Sequence, residues 1–465
     1  MIAVSPYISG TKMARMISFF RTYRRIIVFL PVFAFSIFLL VQPDEFGRIV
    51  DQFFLAILVM LIASQFFWIR RVLELGERFL PGKPRRAWVA LVAALIYAFF
   101  FIYTFPSLES TNSHVFRAAD YRLHSVVIEA TFWWWLVGSV AGFVLWIAFS
   151  IVGRAGSAVA WAYRRAHRAA QPDIPAADSE AVLPSPGRRR FLEQAAILVS
   201  VTPFVATGYG LLYGRLDVEV VRQRIRLARL PKAFEGFRIA QLSDLHISPF
   251  TTAEHIRHCV TITNALKSDL IALTGDYISW DPEAEGGAVS ALAGLRAPFG
   301  VFGCLGNHEQ ESSTEESITR LFAVKGIRML RQEGVPIRSH PEAINLIGID
   351  CPRSRPDLQW RLRKVERFVM PGTVNILLSH YPGVFNYVAG LGIDLTLAGH
   401  THGGQLSLDV VHRGLDLSAL LSPYTSGWYE KAGSQLYVNR GIGTTGFPIR
   451  MGARPEITVL ELSRT

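Results

Sequence analysis

The chain has 465 residues, half of them hydrophobic, with a mean hydropathy of +0.28 and a formal net charge of +11. That length admits two or more domains, and that hydropathy excludes a purely water-soluble globule. Three cysteines, Cys259, Cys304 and Cys351, are too few and too widely spaced for a disulfide scaffold or a cysteine-rich metal site.

Apolar residues concentrate before residue 213, in five stretches near the ~20 residues that a spanning helix needs. These are Ile26–Val41, Phe53–Ile69, Trp88–Phe105, Val126–Val152 and Phe191–Tyr213. Buried core helices can be as apolar, but arginine flanks and few internal charges favour spanning. Residues 1–153 are therefore expected to form a four-helix transmembrane region. Glu193, Pro203, Gly208 and Gly210 dilute the fifth stretch, which is expected to anchor the C-terminal half of the chain.

Arginine-rich segments precede the first stretch and separate the second from the third and the fourth from the fifth. All three can face the cytoplasm only if the N-terminal side of the first span is inside, and five spans then place everything after Tyr213 outside. Residues 154–190 read as a cytoplasmic linker, rich in Ala and Pro, whose last three residues open the stretch "RRRFLEQAAILVS". Arg188, Arg189, Phe191 and Leu192 look like a twin-arginine export signal, although Gly187 and Glu193 depart from its usual form and a positive-inside flank reads equally well. Residues 191–213 are the fifth anchor and 214–465 a separate domain. That domain holds 27 Lys and Arg against 25 Asp and Glu, a net of +2, so the excess charge belongs to the membrane half. A nucleic-acid footprint is thereby disfavoured.

Beyond the anchor, "VEVVRQRIRLARL" alternates Arg222, Arg224 and Arg226 with Val221, Gln223 and Ile225, the period of a half-exposed strand. A pattern then recurs: an apolar run of strand length stops at acidic, histidine or asparagine residues. "FRIAQLSDLH" ends at Asp244 and His246, "DLIALTGDY" at Asp276, "GVFGCLGNHE" at Asn307 and His308, "NILLSHYP" at His380, and "DLTLAGHTH" at His400 and His402. Cys304, inside the third run, is expected as a buried thiol. Helix-like segments such as "TAEHIRHCVTITNALKSD" lie between runs, which makes an α/β layered sheet with ligands beyond the strands' carboxyl ends. The polar groups should converge.

Two aspartates, one asparagine and five histidines form a mixed oxygen and nitrogen set that suits two borderline divalent ions, with a shared aspartate able to bridge a pair ~3.5–4 Å apart. Gly399, Gly403 and Gly404 leave space around His400 and His402 and permit unusual backbone angles. Each motif alone is commonplace; their joint occurrence, each after a strand, is not.

The order Asp-x-His, Gly-Asp, Gly-Asn-His-Glu, His, Gly-His-x-His resembles the calcineurin-like metallophosphoesterase superfamily, and more closely its membrane-anchored bacterial branch. The stretch "NRGIGTTGFPIR", Asn439–Arg450, is similar to a C-terminal segment of that branch. The resemblance covers about Gln223 to Leu462. It implies a layered β-sandwich flanked by helices, behind the multi-span region, with two divalent metal ions such as Mn, Zn or Fe. By motif it implies that Asp244 and His246 bind the first ion with His402, that Asp276 bridges, and that Asn307, His380 and His400 hold the second. His308 is similar to a non-ligand histidine that acts on the substrate phosphate or leaving group. Metal-activated water would attack a phosphate mono- or diester.

Glu309 is expected either to hydrogen-bond a ligand histidine or to be solvated. Gly441, Gly443 and Gly446, near Asn439, Arg440 and Arg450, read as structural turns rather than a lid, and Tyr381 and Pro382 as packing residues. The expected partners are membrane lipids and a phosphate-ester substrate, which proximity to the bilayer makes lipid-linked or envelope-derived; no protein partner is expected. The expected location is the bacterial cytoplasmic membrane, with the catalytic domain outside. A non-catalytic metal-binding sensor or scaffold and a metal-dependent nuclease are the competing readings.

Overall fold

A computed structural model of the chain describes residues 59–72, 74, 91, 124–170, 186–351, 365–407 and 422–464. The span expected at Ile26–Val41 lies outside these residues, as do residues 171–185 of the expected linker and all of Trp88–Phe105 except Leu91. Two compact units emerge, residues 1–99 with 139–201, and residues 100–138 with 202–465.

Residues 59–72, which include most of the second expected span, are helical. Helix α1 covers His124–Ala170 and α2 covers Pro186–Tyr209, the latter ending in a π-turn, Gly210–Gly214. Within them, Glu129–Tyr163 and Gln194–Gly214 are long and apolar enough to cross a membrane. They coincide with the fourth and fifth expected spans. Ile151, Val152, Leu198 and Val205 are exposed on them, an apolar face that water disfavours. α1 runs on through Ala170, so residues 154–170, read from the sequence as the start of a linker, are helical. The run "GSAVAWAYRRAHRAA" explains this, because alanine and arginine favour helix whatever its polarity. In the first unit, Trp68 Nε1 donates to Ser139 O at 2.8 Å, and a side chain at Gly142 would meet Ser200 O, so these helices approach closely.

The second unit is built on two six-stranded sheets. The first runs in the order β1 (Glu219–Arg226), β12 (Glu456–Ser463), β2 (Arg238–Leu242), β3 (Leu270–Thr274), β4 (Val301–Cys304), β5 (Ile327–Met329). Its neighbours are parallel except β12 and β2. The second runs β10 (Gly427–Lys431), β11 (Ser434–Val438), β9 (Leu395–Ala398), β8 (Asn375–Ser379), β7 (Glu342–Ile349), β6 (Glu333–Ser339), parallel at its centre with an antiparallel strand at each edge.

Alternation along each strand divides its side chains between two cores. In β3, Leu270 and Ala272 face the second sheet, meeting a layer that includes Leu346, Ile376, Leu378 and Leu397. Ile271 and Leu273 face the opposite way, toward helices α3 (Ala253–Ala265), α4 (Glu285–Leu292) and α6 (Glu315–Val324), through Ile256, Leu292 and Phe322. The outer face of the second sheet is covered by Val384, Phe385 and Val388, the latter two on the short helix α7 (Phe385–Val388). Both faces of the central strands are thus buried, which is why they read as continuous apolar runs. The result is an α/β sandwich with helices outside two stacked mixed sheets. Arg222, Arg224 and Arg226 lie exposed on edge strand β1, and Cys259, Cys304 and Cys351 are buried and outside any disulfide.

Candidate active site

The carboxyl ends of β2, β3, β4, β8 and β9 carry the eight motif side chains, and the sandwich brings them to one place. Asp244 and His246 follow β2, Asp276 follows β3, Asn307 and His308 open helix α5 (Asn307–Glu311) after β4, His380 follows β8, and His400 and His402 follow β9. Asp244, His246, Asp276, His400 and His402 all adopt positive φ, between 44° and 75°. Side chains there cost about 1–3 kcal/mol each and persist only where the surroundings hold them. Each strand must turn sharply to aim its side chain inward. Two glycines make room: a side chain at Gly306 would sit 2.0 Å from Asp276 Oδ1, and one at Gly399 would sit 2.2 Å from Asp244 Oδ2.

Asp276 is the centre. Its Oδ2 lies 3.1 Å from His380 Nε2, 3.4 Å from His246 Nε2 and 3.9 Å from His308 Nε2, while Oδ1 accepts the backbone N–H of His308 at 3.0 Å. On one side, His402 Nε2 is 3.2 Å from Asp244 Oδ1 and 3.0 Å from His246 Nε2. On the other, Asn307 Oδ1 is 3.2 Å from His380 Nε2 and 3.0 Å from His400 Nδ1, and those two nitrogens are 3.2 Å apart. The sets Asp244, His246, His402 and Asp276, His380, His400 each bring three ligand atoms within 4.8 Å of one another.

Burial lowers the pKa of His246 and His402 well below the usual imidazole range and that of His400 to about 4. These rings are neutral and offer lone pairs, as metal ligation requires. For Asp276, burial acts upward, but His380, His246 and His308 outweigh it and hold the carboxyl well below its ordinary range. For His380, burial acts downward, and the Asp276 carboxylate overrides it to about 10. In each close nitrogen pair, only one member can donate a proton to the other, whereas a cation between them serves both lone pairs and the nearby oxygens. The donor set therefore fits a dimetal centre.

Outer contacts orient the rings. His380 Nδ1 is 2.7 Å from Thr274 O, and His308 Nδ1 donates to Ser279 O, so each turns Nε2 toward Asp276. His308 also packs edgewise against Trp280, ring centroids 4.4 Å apart.

Two residues have roles that the sequence did not disclose. Glu309 neither touches a histidine nor meets solvent: fully buried, it accepts from the backbone N–H groups of Tyr277 and Ile278 through Oε1 and of Asp276 and Gly306 through Oε2. Burial and the Asp276 charge push its carboxyl up to about 7. Arg450, also buried, donates to Gly443 O and Ala453 O and reaches His402 Nδ1 at 3.0 Å. The glycine stretch before it forms turns packed under Asp244, with Gly443 N–H donating to Asp244 O at 2.7 Å. Proximity to the site was signalled only by the Asn439–Arg450 phrase. Tyr381, read as packing, is partly exposed beside His400, ring centroids 5.4 Å apart, whereas Pro382 is buried.

Residues 237–404 match the family model described as calcineurin-like phosphoesterase. Over 294 residues the chain is 31% identical to the uncharacterized metallophosphoesterase YkuE of Bacillus subtilis, covering 60% of this chain and 98% of the relative. It is 29% identical to the phosphodiesterase YaeI of Escherichia coli, covering 59% and 98%. It is 26% identical over 427 residues to a transmembrane protein with metallophosphoesterase domain of Danio rerio, covering 87% of each. The similarity thus extends to animals and does not single out a bacterial branch.

Proposed function

Since the chain belongs to the calcineurin-like phosphoesterase family, we propose that this metallophosphoesterase is a membrane-anchored binuclear enzyme that hydrolyses a phosphate mono- or diester. The observation that carries the reading is the meeting of eight motif side chains, from five strand ends in two sheets, around the buried Asp276 carboxylate. Asp244, His246 and His402 would hold one divalent ion and Asn307, His380 and His400 the other, with Asp276 shared; manganese, zinc and iron all suit these donors. Such ions, when bound, polarise phosphoryl oxygens and activate the attacking water.

The chain's own part is proton delivery and orientation. His308 donates its Nδ1–H to Ser279 O, which turns Nε2 into the cluster, where the doubly protonated ring can pass its Nε2 proton to the leaving oxygen and be left neutral. Glu309 holds the loop bearing Asp276 against α5, and this keeps the shared carboxylate and His308 in one register.

Two apolar helices and the extended match to the zebrafish protein support membrane anchoring. The arginine pattern supports a multi-pass arrangement in a bacterial cytoplasmic membrane with the catalytic unit outside, where a lipid-linked or other envelope phosphoester is the substrate within reach. In detergent with manganese, the wild-type chain is expected to hydrolyse bis(p-nitrophenyl) phosphate or its monoester analogue, and Asp276→Asn to lose roughly 100-fold or more. Inactivity of the wild type with manganese, zinc, iron, cobalt and nickel alike would count against the reading.

A further inference from the structure

The loop after Asp276 is fastened to α5 residue by residue. Tyr277 and Ile278 donate their backbone N–H groups to Glu309 Oε1 at 2.7 and 3.2 Å, and Ser279 O accepts from His308 Nδ1. Trp280 comes next. Its backbone is thus placed by the site, yet the residue remains 65% exposed, with its ring centroid 4.4 Å from that of His308 and the planes at 64°. The fastening uses backbone groups, Glu309 and His308; none of it requires a large apolar ring in solvent. Held there, the ring forgoes the burial that ordinarily favours an indole's placement in a fold.

Resting on the phosphoesterase reading above, we propose that Trp280 is a specificity-determining residue of this site, the wall against which an apolar leaving group of the phosphoester packs. Position dictates the class. His308 delivers its proton to the leaving oxygen, so whatever is bonded to that oxygen emerges on the side that His308 faces and Trp280 flanks. An indole face attracts aromatic rings and hydrocarbon chains and gives a bare anionic group little to bind. The leaving alcohol therefore presents an aromatic or aliphatic surface rather than a second phosphate. Tyr381, beside His400, lies next to the other metal set and takes no part in this wall.

Phosphonates, which bind without being cleaved, separate recognition from turnover. The full-length, metal-loaded chain would be titrated calorimetrically with ethylphosphonate, octylphosphonate and naphthylmethylphosphonate. Trp280→Ala is expected to weaken at least one of the two larger ligands by about ten-fold, leave ethylphosphonate unchanged, and retain both metal ions; Trp280→Phe should recover most of the loss. Weakening confined to the naphthyl ligand assigns an aromatic leaving group, and weakening confined to the octyl ligand an aliphatic one. Unchanged affinity for all three would overturn the proposal, as would equal weakening of all three, which would make Trp280 a support for His308. Failure of the underlying reading appears separately, as a wild-type chain that takes up no divalent ions.

Discussion

His308 stands apart from the other seven motif side chains in what surrounds it. It has Trp280 packed edgewise against its ring, Ser279 O on Nδ1, and an Nε2 that is 3.9 Å from Asp276 Oδ2, farther than His380 or His246. The same distances also allow a set of His246, Asp276 and His308 to hold an ion, so two roles compete for one ring. A proton donor and a ligand fail differently. His308→Ala is expected to lower kcat by about 10²–10⁴-fold with metal content unchanged, as measured by elemental analysis of the purified chain beside steady-state kinetics. Loss of one ion per chain would instead make His308 a ligand and remove the proton-delivery assignment.

At the scale of elements, the β3 loop and helix α5 behave as one piece because Glu309 ties four backbone donors from two segments. Glutamine there keeps Oε1 but turns an amide toward the N–H groups of Asp276 and Gly306, leaving two buried donors unanswered at about 1–3 kcal/mol each. Glu309→Gln is accordingly expected to lower Tm by roughly 4 °C or more; a melting curve superimposable on the wild type would refute the clamp. The sequence could not disclose it, because Glu309 meets Tyr277 and Ile278 across more than 30 residues, and short motifs report only what is adjacent. Arg450 and His402, 48 residues apart, were hidden for the same reason. What was legible had a local cause: apolar runs buried on both faces, each ending in a polar residue, mark the strand ends that carry Asp244, Asp276, Asn307, His380 and His400. Of the five site residues with positive φ, Asp276, His400 and His402 have a glycine beside them in the sequence, whereas Asp244 and His246 have none to signal it. The helical continuation of α1 through Ala170 lay in the composition, but the polar character of that segment masked it.

For the whole molecule, the decisive asymmetry is charge. The domain from Gly214 onward is nearly neutral, so nine of the eleven net positive charges precede it in the sequence. Arginine and lysine in short loops resist translocation, and in the proposed five-span arrangement this would place the N-terminal side and the catalytic unit on opposite sides of the membrane. The proposed fifth span decides the matter: without it the same arrangement would return the site to the cytoplasm and to a different pool of phosphoesters. Gln194–Gly214 is shorter than Glu129–Tyr163, yet its 21 residues at about 1.5 Å per residue still reach across a ~30 Å hydrocarbon layer. A bacterial alkaline phosphatase fused after Thr465 is therefore expected to be active, because that enzyme matures only outside the cytoplasm, and one fused within residues 171–187 is expected to be inactive. The opposite pattern would put the metal site on the cytoplasmic face and rule out envelope phosphoesters as substrates, while leaving the dimetal chemistry untouched.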